Sequence, residues 1–216
     1  MSKSAGRARA LTILEQLETL YADLTTGLNF NTPFELLIAT ILSAQCTDER
    51  VNLVTPHLFA RYPTAEALAN AERSDVEAII HSCGFFRNKA KNIQAAAARI
   101  QDRFGGQVPA TMAELITLPG VARKTANVVL AHAFGRHEGI AVDTHVLRLS
   151  NRLAMTTSRD PVQVEQDLML IFPTKHWGRV SDTLIWHGRR LCSARRPLCA
   201  DCPVQDLCPS AHHTTG

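Results

Sequence analysis

Residues 118–124 read Leu118-Pro119-Gly120-Val121-Ala122-Arg123-Lys124, a tight turn between two predicted helices. The first helix starts at Thr111, where Thr111-x-x-Glu114 has the form of a capping box. Gly120 permits a left-handed backbone, and the second helix follows at once. Such a turn leaves the first N–H groups of that helix at the positive end of its dipole, where they can bind a phosphate. The stretch therefore predicts a helical hairpin that can grip a phosphate backbone without reading base sequence, although a plain connector has the same form.

The rest of the chain also carries helix signals. Thr32-Pro33-Phe34-Glu35 is a capping box with proline at the first helical position, and the apolar residues behind it repeat with helical spacing, which predicts one apolar face. Ser74-x-x-Glu77 and Asp160-Pro161 predict two more helix starts. We expect further helices over about 8–23, 48–61, 86–104, 122–134, 144–153 and 176–191. No period-two pattern predicts a strand, so the fold class is all-α.

The composition is that of an ordinary globular protein. Of 216 residues, 45% are hydrophobic and 20% are charged, which argues against a disordered chain. The longest apolar run, Leu36 to Ala44, is too short to span a bilayer, and no secretory signal is visible, so we expect an intracellular protein with no membrane partner. The net charge of +3 is weak evidence for a polyanionic partner, because a solvated surface with a slight basic excess fits as well.

Lys124 lies in the first turn of the second hairpin helix. The positive end of the helix dipole disfavours its ammonium form, and the uncharged amine is the form that attacks carbon. A lysine picked at random is far more often a solvated surface residue. Its place in a phosphate-binding turn is what favours a nucleophile here.

Asp143 stands where another helix begins, after the short apolar run Ile140-Ala141-Val142. An isolated aspartate in this position most often caps its helix. It can also be a catalytic carboxylate, since one oxygen can cap while the other faces a reacting amine. The two roles are compatible.

Four of the six cysteines fall near the end of the chain, in the pattern Cys192-x6-Cys199-x2-Cys202-x5-Cys208. Six cysteines in an intracellular chain argue against a disulfide framework and favour a metal centre. Four thiolates suit either a zinc ion or an iron–sulfur cluster, and the single Cys-x2-Cys knuckle favours the cluster without excluding zinc. Cys46 and Cys83 stand apart and are interpreted as buried apolar residues in helical regions.

Taken together, these motifs resemble the endonuclease III family of helix–hairpin–helix DNA glycosylases. The resemblance covers nearly the whole chain and rests on the hairpin, on the cysteine spacing and on the motifs Leu42-Ser43-Ala44-Gln45-x-Thr47-Asp48 and Val142-Asp143-Thr144-His145. It implies a [4Fe–4S] cluster in place of zinc. It also implies two helical domains flanking a DNA-binding cleft: a helical-barrel domain over 26–136, and an iron–sulfur domain over 1–25 plus 137–216.

The resemblance implies a base-excision repair enzyme that removes oxidised pyrimidines and nicks the strand at abasic sites. Lys124 matches the family's nucleophile, which forms a Schiff base with the sugar, and Asp143 matches its catalytic carboxylate. The damaged base would be flipped out of the duplex. The partner is then double-stranded DNA, and the enzyme acts as a monomer in the cytoplasm, on the nucleoid.

By the same resemblance, several residues contact DNA. Gln45 fills the gap left by the flipped base, and Phe85 is an apolar wedge where the alternative is a core residue. The remaining expected contacts are made to the DNA backbone by Leu118, Gly120, Ala122, Arg195 and Arg196. The four cysteines Cys192, Cys199, Cys202 and Cys208 hold the cluster.

Two departures and two rival functions qualify the resemblance. The family's hairpin commonly has glycine where this chain has Ala122, and its wedge is often aliphatic where this chain has Phe85. A mismatch adenine glycosylase would lack the hairpin lysine and would need a glutamate on the helix that ends at Gln45, yet Leu36 to Gln45 contains no carboxylate. A non-catalytic DNA clamp would bind DNA without any covalent intermediate.

Overall fold

The structure is a computed structural model that describes residues 3–211, with side chains from Ala5 onward. Within this range the chain forms eleven α-helices and no strand, which confirms the all-α prediction. The helices are α1 Lys3–Leu20, α2 Pro33–Leu42, α3 Asp48–Arg61, α4 Ala65–Ala69, α5 Arg73–Ile80, α6 Phe86–Phe104, α7 Met112–Leu115, α8 Arg123–Phe134, α9 Thr144–Arg152, α10 Pro161–Ile171 and α11 Trp177–Arg190. Short 3₁₀ turns lie at His81–Cys83, Thr174–His176, Cys199–Asp201 and Gln205–Leu207.

The chain divides into two compact units. The continuous unit is Thr26–Glu138, and the discontinuous unit combines Met1–Thr25 with Gly139–Gly216. Each unit has its own hydrophobic core. The hairpin belongs to the continuous unit, whereas Asp143 and the four C-terminal cysteines belong to the discontinuous one.

Helix α2 is the centre of the continuous unit. It contacts α3, α6 and α8, and every residue of Phe34–Leu42 except Glu35 is buried. The prediction of a single apolar face was therefore too narrow, because a helix packed on all sides is apolar all round. Thr40 is accommodated there because its hydroxyl donates to the carbonyl of Leu36 at 2.7 Å.

The discontinuous unit packs α1 against α11, and α9 against α10 and α11. Arginine side chains tie its chain segments together. Arg9 donates to the carbonyls of Leu153 and Leu207, both at 2.8 Å, so the N-terminal helix is bonded to the C-terminal loop. None of the described helices is long and apolar enough to cross a membrane.

The predicted helix starts are largely confirmed. Thr32, Thr111 and Asp160 each cap a helix with a side-chain oxygen, as their motifs predict. The prediction at Ser74 is wrong: α5 begins at Arg73 with Glu72 as its N-cap, because the first helical bonds run back to the Glu72 carbonyl. Ser74 thus lies inside the first turn. The first helix also differs from the predicted 8–23, since it spans Lys3–Leu20.

Candidate functional site

The hairpin forms as its sequence predicts. Helix α7 ends at Leu115, and α8 begins at Arg123. Between them Gly120 has φ +77°, a conformation that favours glycine. A Cβ added there would lie 3.0 Å from the Cβ of Asn92 on α6, so the turn is also packed closely against its neighbour. Glycine is required here for both reasons.

The N-terminus of α8 is open. Its N-cap, Ala122, makes no side-chain hydrogen bond to the helix, and Ala122, Arg123 and Lys124 are all exposed. The first N–H groups of α8 are thus not used by a cap and point to the surface at the positive end of the dipole. Ala122 has φ −94° and ψ 170°, an extended conformation that any residue adopts, so alanine in place of glycine does not strain the turn.

Leu118 is buried within the hairpin. Its side chain is buried, its N–H donates to the Leu115 carbonyl at 3.0 Å, and its carbonyl accepts from Val121 at 3.1 Å. Neither the side chain nor the N–H is therefore presented to a ligand. Leu118 anchors the hairpin to the core, and its contact with DNA stays a prediction.

Gln45 and Phe85 share an unusual backbone. Among the described residues only three that are not glycine have positive φ: Gln45 at 54°, Phe85 at 45° and Ala154 at 50°. Such conformations cost about 1–3 kcal/mol each and often occur at functional sites. Both Gln45 and Phe85 are exposed, so two of the three strained residues are predicted DNA contacts on the surface of the continuous unit.

Phe85 is 70% exposed, which rules out the alternative of a core residue. It is the left-handed N-cap of α6 and follows Gly84, which has φ +63°. The next residue, Phe86, packs instead: its ring centroid is 4.5 Å from that of His81. The tight turn therefore separates two adjacent phenylalanines, turning one inward and the other to solvent.

Asp143 is the N-cap of α9. Its Oδ1 accepts hydrogen bonds from the backbone N–H groups of His145 and Val146, both at 2.8 Å. Because both bonds go to one oxygen, Oδ2 is left outside the cap. The side chain can therefore cap the helix and still present a carboxylate oxygen.

Helix α9, which Asp143 caps, also binds α11 and the start of the cysteine-rich loop. Arg148 donates to the carbonyls of Gly188 at 3.1 Å and Cys192 at 3.0 Å. Gly188 packs against this helix so closely that a Cβ there would lie 2.7 Å from His145 Nδ1. Burial lowers the pKa of His145, although the nearby Asp143 carboxylate acts in the opposite direction. A neutral imidazole suits this crowded position beside Arg148.

The four C-terminal cysteines line one cavity, together with Leu149, Leu153, His187 and Val204. Among residues 3–211 no three His, Cys, Asp or Glu side chains form a group that could hold a single metal ion. The four thiols surround a shared space instead, and four soft sulfur ligands around such a space fit an iron–sulfur cluster.

Hydrogen bonds point at the cavity sulfurs. Arg152 Nη1 lies 3.2 Å from Cys192 Sγ, and His187 Nε2 lies 3.6 Å from Cys202 Sγ. Burial lowers the pKa of His187 to about 4, so its ring is neutral at neutral pH and can donate through one nitrogen while the other accepts from the Tyr21 hydroxyl at 3.1 Å. Burial raises the pKa of the Cys202 thiol. A bound metal centre would supply the positive charge that favours the thiolate form of such ligands.

Arg195 and Arg196 lie exposed on the loop between the first two cysteines. Hydrogen bonds hold the backbone of this loop in place. Arg152 donates to the carbonyls of Ser193 and Ala194, both at 2.7 Å, and the Ser193 hydroxyl donates to the Arg196 carbonyl at 2.6 Å. The two arginine side chains are thus carried outward on a fixed backbone.

Sequence reasoning missed Arg148 and Arg152. The signal that could have found them is their spacing, because residues four apart on a helix share a face. The backbone carbonyls that they bind lie 40 to 44 residues away along the chain, and no local pattern indicates such distant partners.

Comparison with known proteins identifies the family. Residues 38–174, well over half of the chain, match the HhH-GPD superfamily of base excision DNA repair proteins, and residues 192–208 match the iron–sulfur binding domain of endonuclease III. Endonuclease III of Synechocystis sp. is 58% identical over 96% of this chain and 95% of its own length, and that of Escherichia coli is 42% identical over 94% and 96%.

Solved structures agree with the sequence comparison. A non-covalent endonuclease III–DNA complex matches with a TM-score of 0.91 at 41% identity, covering 96% of this chain and 97% of that chain. A trapped endonuclease III–DNA covalent intermediate matches with a TM-score of 0.92 at 41% identity, covering 97% and 99%. With the open hairpin and the four-cysteine cavity, these matches place the chain in the endonuclease III family of base-excision repair enzymes, which are DNA glycosylases and AP lyases that carry a [4Fe–4S] cluster.

Proposed function

We propose that this enzyme removes oxidised pyrimidines from double-stranded DNA and cleaves the strand at the abasic site through a Schiff base on Lys124. The observation that carries the proposal is the open N-terminus of α8, where the exposed Lys124 is the second helical residue beside uncapped N–H groups. Those N–H groups would hold a phosphate, and the amine would then stand next to the backbone sugar.

The proposed chemistry needs a nucleophile and a carboxylate. Lys124 Nζ attacks the sugar C1′ as the bond from C1′ to the base breaks and the base leaves with its electron pair. Asp143 takes a proton from the amine and offsets the positive charge that develops on the sugar. The Schiff base makes the C2′ proton acidic, and its loss expels the 3′ phosphate by β-elimination. Oδ2 of Asp143 is the oxygen available for this role, since Oδ1 caps α9.

Gln45 and Phe85 would keep the flipped base out of the duplex. An amide that both donates and accepts suits the orphaned partner base, and an exposed aromatic ring can hold base steps apart. Their exposure and their positive φ support this role, because strained backbone persists where it orients a side chain for a ligand.

The remaining contacts would be to DNA phosphates. We propose backbone contacts at Gly120 and Ala122 and side-chain contacts from Arg195 and Arg196. Each arginine would add one counterion-release term, so removing one should reduce the slope of log K against log salt by about 0.9.

Cys192, Cys199, Cys202 and Cys208 are the proposed cluster ligands. The bound cluster would supply structural cross-linking of four chain positions, which holds the loop that carries Arg195 and Arg196. The proposal is supported by the cavity that these cysteines share.

We also propose that the enzyme acts as a monomer in the cytoplasm, on nucleoid DNA. Every proposed site residue comes from a single chain, so a second copy is not needed. Sedimentation of the protein with and without a lesion-containing duplex tests this, since a complex with two protein chains would contradict it.

Borohydride trapping tests the reaction. The purified holoenzyme is mixed with a duplex that carries one thymine glycol, and borohydride reduces any Schiff base to a stable protein–DNA bond. We expect a covalent band for the wild type and none for Lys124→Gln. The matched control is Lys175→Gln, which removes the same charge from an exposed lysine elsewhere and should leave the band unchanged.

The substrate panel tests the specificity. Duplexes with thymine glycol, an abasic site, 8-oxoguanine and no damage are compared. Cleavage of the first two alone is the expected result. Base release without a covalent band would contradict the role of Lys124, and preference for 8-oxoguanine would contradict the pyrimidine class.

A further inference from the structure

A chain of two hydrogen bonds leads from the end of the N-terminal helix to one of the proposed cluster cysteines. The Tyr21 hydroxyl lies 3.1 Å from His187 Nδ1, and His187 Nε2 lies 3.6 Å from Cys202 Sγ. Tyr21 directly follows α1, and His187 lies in the last turn of α11, so distant parts of the sequence meet here. All three residues belong to the discontinuous unit. No step of the proposed repair reaction uses Tyr21 or His187.

The two residues that lead to the sulfur are buried and held by their backbones. Tyr21 and His187 are each 2% exposed, so bulk water does not compete for their hydrogen bonds. The Tyr21 carbonyl accepts from Arg179 at 3.2 Å, and the His187 carbonyl accepts from the N–H of Cys192 at 2.8 Å. His187 therefore contacts two of the four cysteines, Cys192 through its backbone and Cys202 through its ring.

The chemistry of the sulfur fixes the direction of both hydrogen bonds. A cysteine that binds iron is a thiolate, which has no proton to give and can only accept. His187 Nε2 must then carry a proton and donate it to Cys202 Sγ. In a neutral imidazole Nδ1 is left as an acceptor, and the Tyr21 hydroxyl is placed to donate to it. Tyr21 thus selects the form of the ring in which His187 can donate to the sulfur.

We propose that Tyr21 and His187 together hold a hydrogen bond on Cys202 that raises the reduction potential of the cluster. The inference rests on the proposed role of Cys202 as a cluster ligand. A hydrogen bond to a ligand sulfur stabilises the more negative, reduced state of a cluster more than the oxidised state. Both are positioning residues: His187 contacts the ligand sulfur, and Tyr21 acts through His187.

The other donor to the cavity sulfurs cannot be tested as cleanly. Arg152 Nη1 lies 3.2 Å from Cys192 Sγ, but the same side chain also donates to the carbonyls of Ser193 and Ala194. Removing Arg152 would therefore release the loop backbone together with the sulfur contact. The side-chain hydrogen bonds of His187 go to Tyr21 and Cys202, so substitutions there test the sulfur contact without releasing that loop.

Redox titration of the holoenzyme tests the proposal. The protein is titrated with dithionite and mediators, and the visible absorption and electron paramagnetic resonance of the cluster are recorded. We expect His187→Leu to lower the potential by about 59 mV, which is a tenfold change in the equilibrium constant for one electron. Tyr21→Phe should lower it by less, because the ring remains but its proton is no longer directed to Nε2. His187→Gln should restore most of the wild-type potential, because its amide N–H can replace Nε2–H.

Tyr62→Phe is the matched control. Tyr62 is the other tyrosine of the chain, and it is also buried, but it packs in the core of the continuous unit. Its variant should keep the wild-type potential. An unchanged potential in both His187→Leu and Tyr21→Phe would overturn the proposal, and so would an equal fall in Tyr62→Phe. A wild type without iron and sulfide would instead contradict the proposed cluster ligands.

A measurement on the wild type does not depend on whether the variants assemble a cluster. The protein is produced with ¹⁵N-labelled histidine, and pulsed electron paramagnetic resonance is recorded on the reduced cluster. We expect a coupling between the cluster and one histidine nitrogen, because His187 Nε2 is bonded to a ligand sulfur through its proton. A reduced cluster without any such coupling would show that His187 does not donate to Cys202.

Discussion

The N-termini of α8 and α9 are built in opposite ways. The N-cap of α9, Asp143, takes two backbone N–H groups onto one carboxylate oxygen. The N-cap of α8, Ala122, offers no side-chain acceptor, and the turn before it is shaped by Gly120. The N–H groups at the start of α9 are bound by a side chain of the protein, whereas those at the start of α8 are left at the surface.

The difference teaches how a repair site divides its work between backbone and side chain. An uncapped end costs the fold up to about 1–2 kcal/mol relative to a good cap, and an anion bound there returns that stabilisation on binding. A capped end fixes the position of its capping carboxylate, so the cap of α9 also holds Asp143 in place for its proposed catalytic role. The first end is suited to hold DNA, and the second to hold a reacting group.

The largest expected effect comes from removing the amine of Lys124 at the uncapped N-terminus of α8. Lys124→Gln should lower strand cleavage at an abasic site by about a thousandfold or more, because the amide keeps most of the length of the side chain but cannot attack carbon. Binding to the same duplex should change by less than about threefold, since the N–H groups of α8 remain. Single-turnover cleavage and equilibrium binding measure the two quantities. A variant that cleaves at the wild-type rate would show that the nucleophile lies elsewhere.

At the N-terminus of α9, the negative charge of Asp143 and its capping of the helix can be tested separately. Asp143→Asn keeps a capping oxygen, whereas Asp143→Ala loses it, so only the alanine variant should lose about 1 kcal/mol of unfolding free energy. Both should lose about a hundredfold in activity, because neither carries the negative charge. Urea denaturation and cleavage assays check the two effects.

Asp160 provides the matched control for this pair. It caps α10 through both carboxylate oxygens, at 3.4 Å to the Val162 nitrogen and 3.3 Å to the Gln163 nitrogen. Asp160→Ala should therefore cost a similar free energy of unfolding and leave activity intact. Full activity in Asp143→Asn would mean that Asp143 only caps its helix, as Asp160 does.

The turn before the open end should tolerate no side chain. Gly120→Ala places a Cβ at φ +77° and 3.0 Å from Asn92 Cβ, so we expect a loss of about 1–3 kcal/mol in unfolding free energy and about tenfold weaker DNA binding. Gly135, the C-cap at the other end of α8, has φ +61° and nothing within 4 Å. Gly135→Ala should lower the unfolding free energy through backbone strain alone and leave DNA binding unchanged. Equal binding losses in the two variants would mean that the hairpin is not a specific contact.

Local patterns predicted the parts of the site that depend on a few neighbouring residues. The turn at Gly120 requires a positive φ that glycine adopts freely, and the caps at Thr32 and Asp160 act on residues two or three positions away. The same locality explains the error at Ser74, because a capping-box pattern cannot show that the helix already began at Arg73.

Long-range packing set the features that no pattern predicted. Helix α2 is buried all round because α3, α6 and α8 surround it, which a single apolar stripe does not indicate. The adjacent residues Phe85 and Phe86 are chemically identical, and only the left-handed turn decides which one is exposed.

The smallest expected effect comes from giving the N-terminus of α8 a capping side chain, as α9 has. Ala122 already has the extended backbone of an N-cap, so Ala122→Ser should place a hydroxyl on the N–H groups of α8 and raise unfolding free energy by about 0.5–1 kcal/mol. The same bond competes with a phosphate, so binding to a lesion duplex should weaken a few-fold at low salt. Ala122→Gly adds no side-chain acceptor and should bind at least as well as the wild type. A serine variant that is more stable and binds DNA as tightly would mean that α8 does not use these N–H groups to hold the DNA backbone, and the contrast with α9 would then concern stability alone.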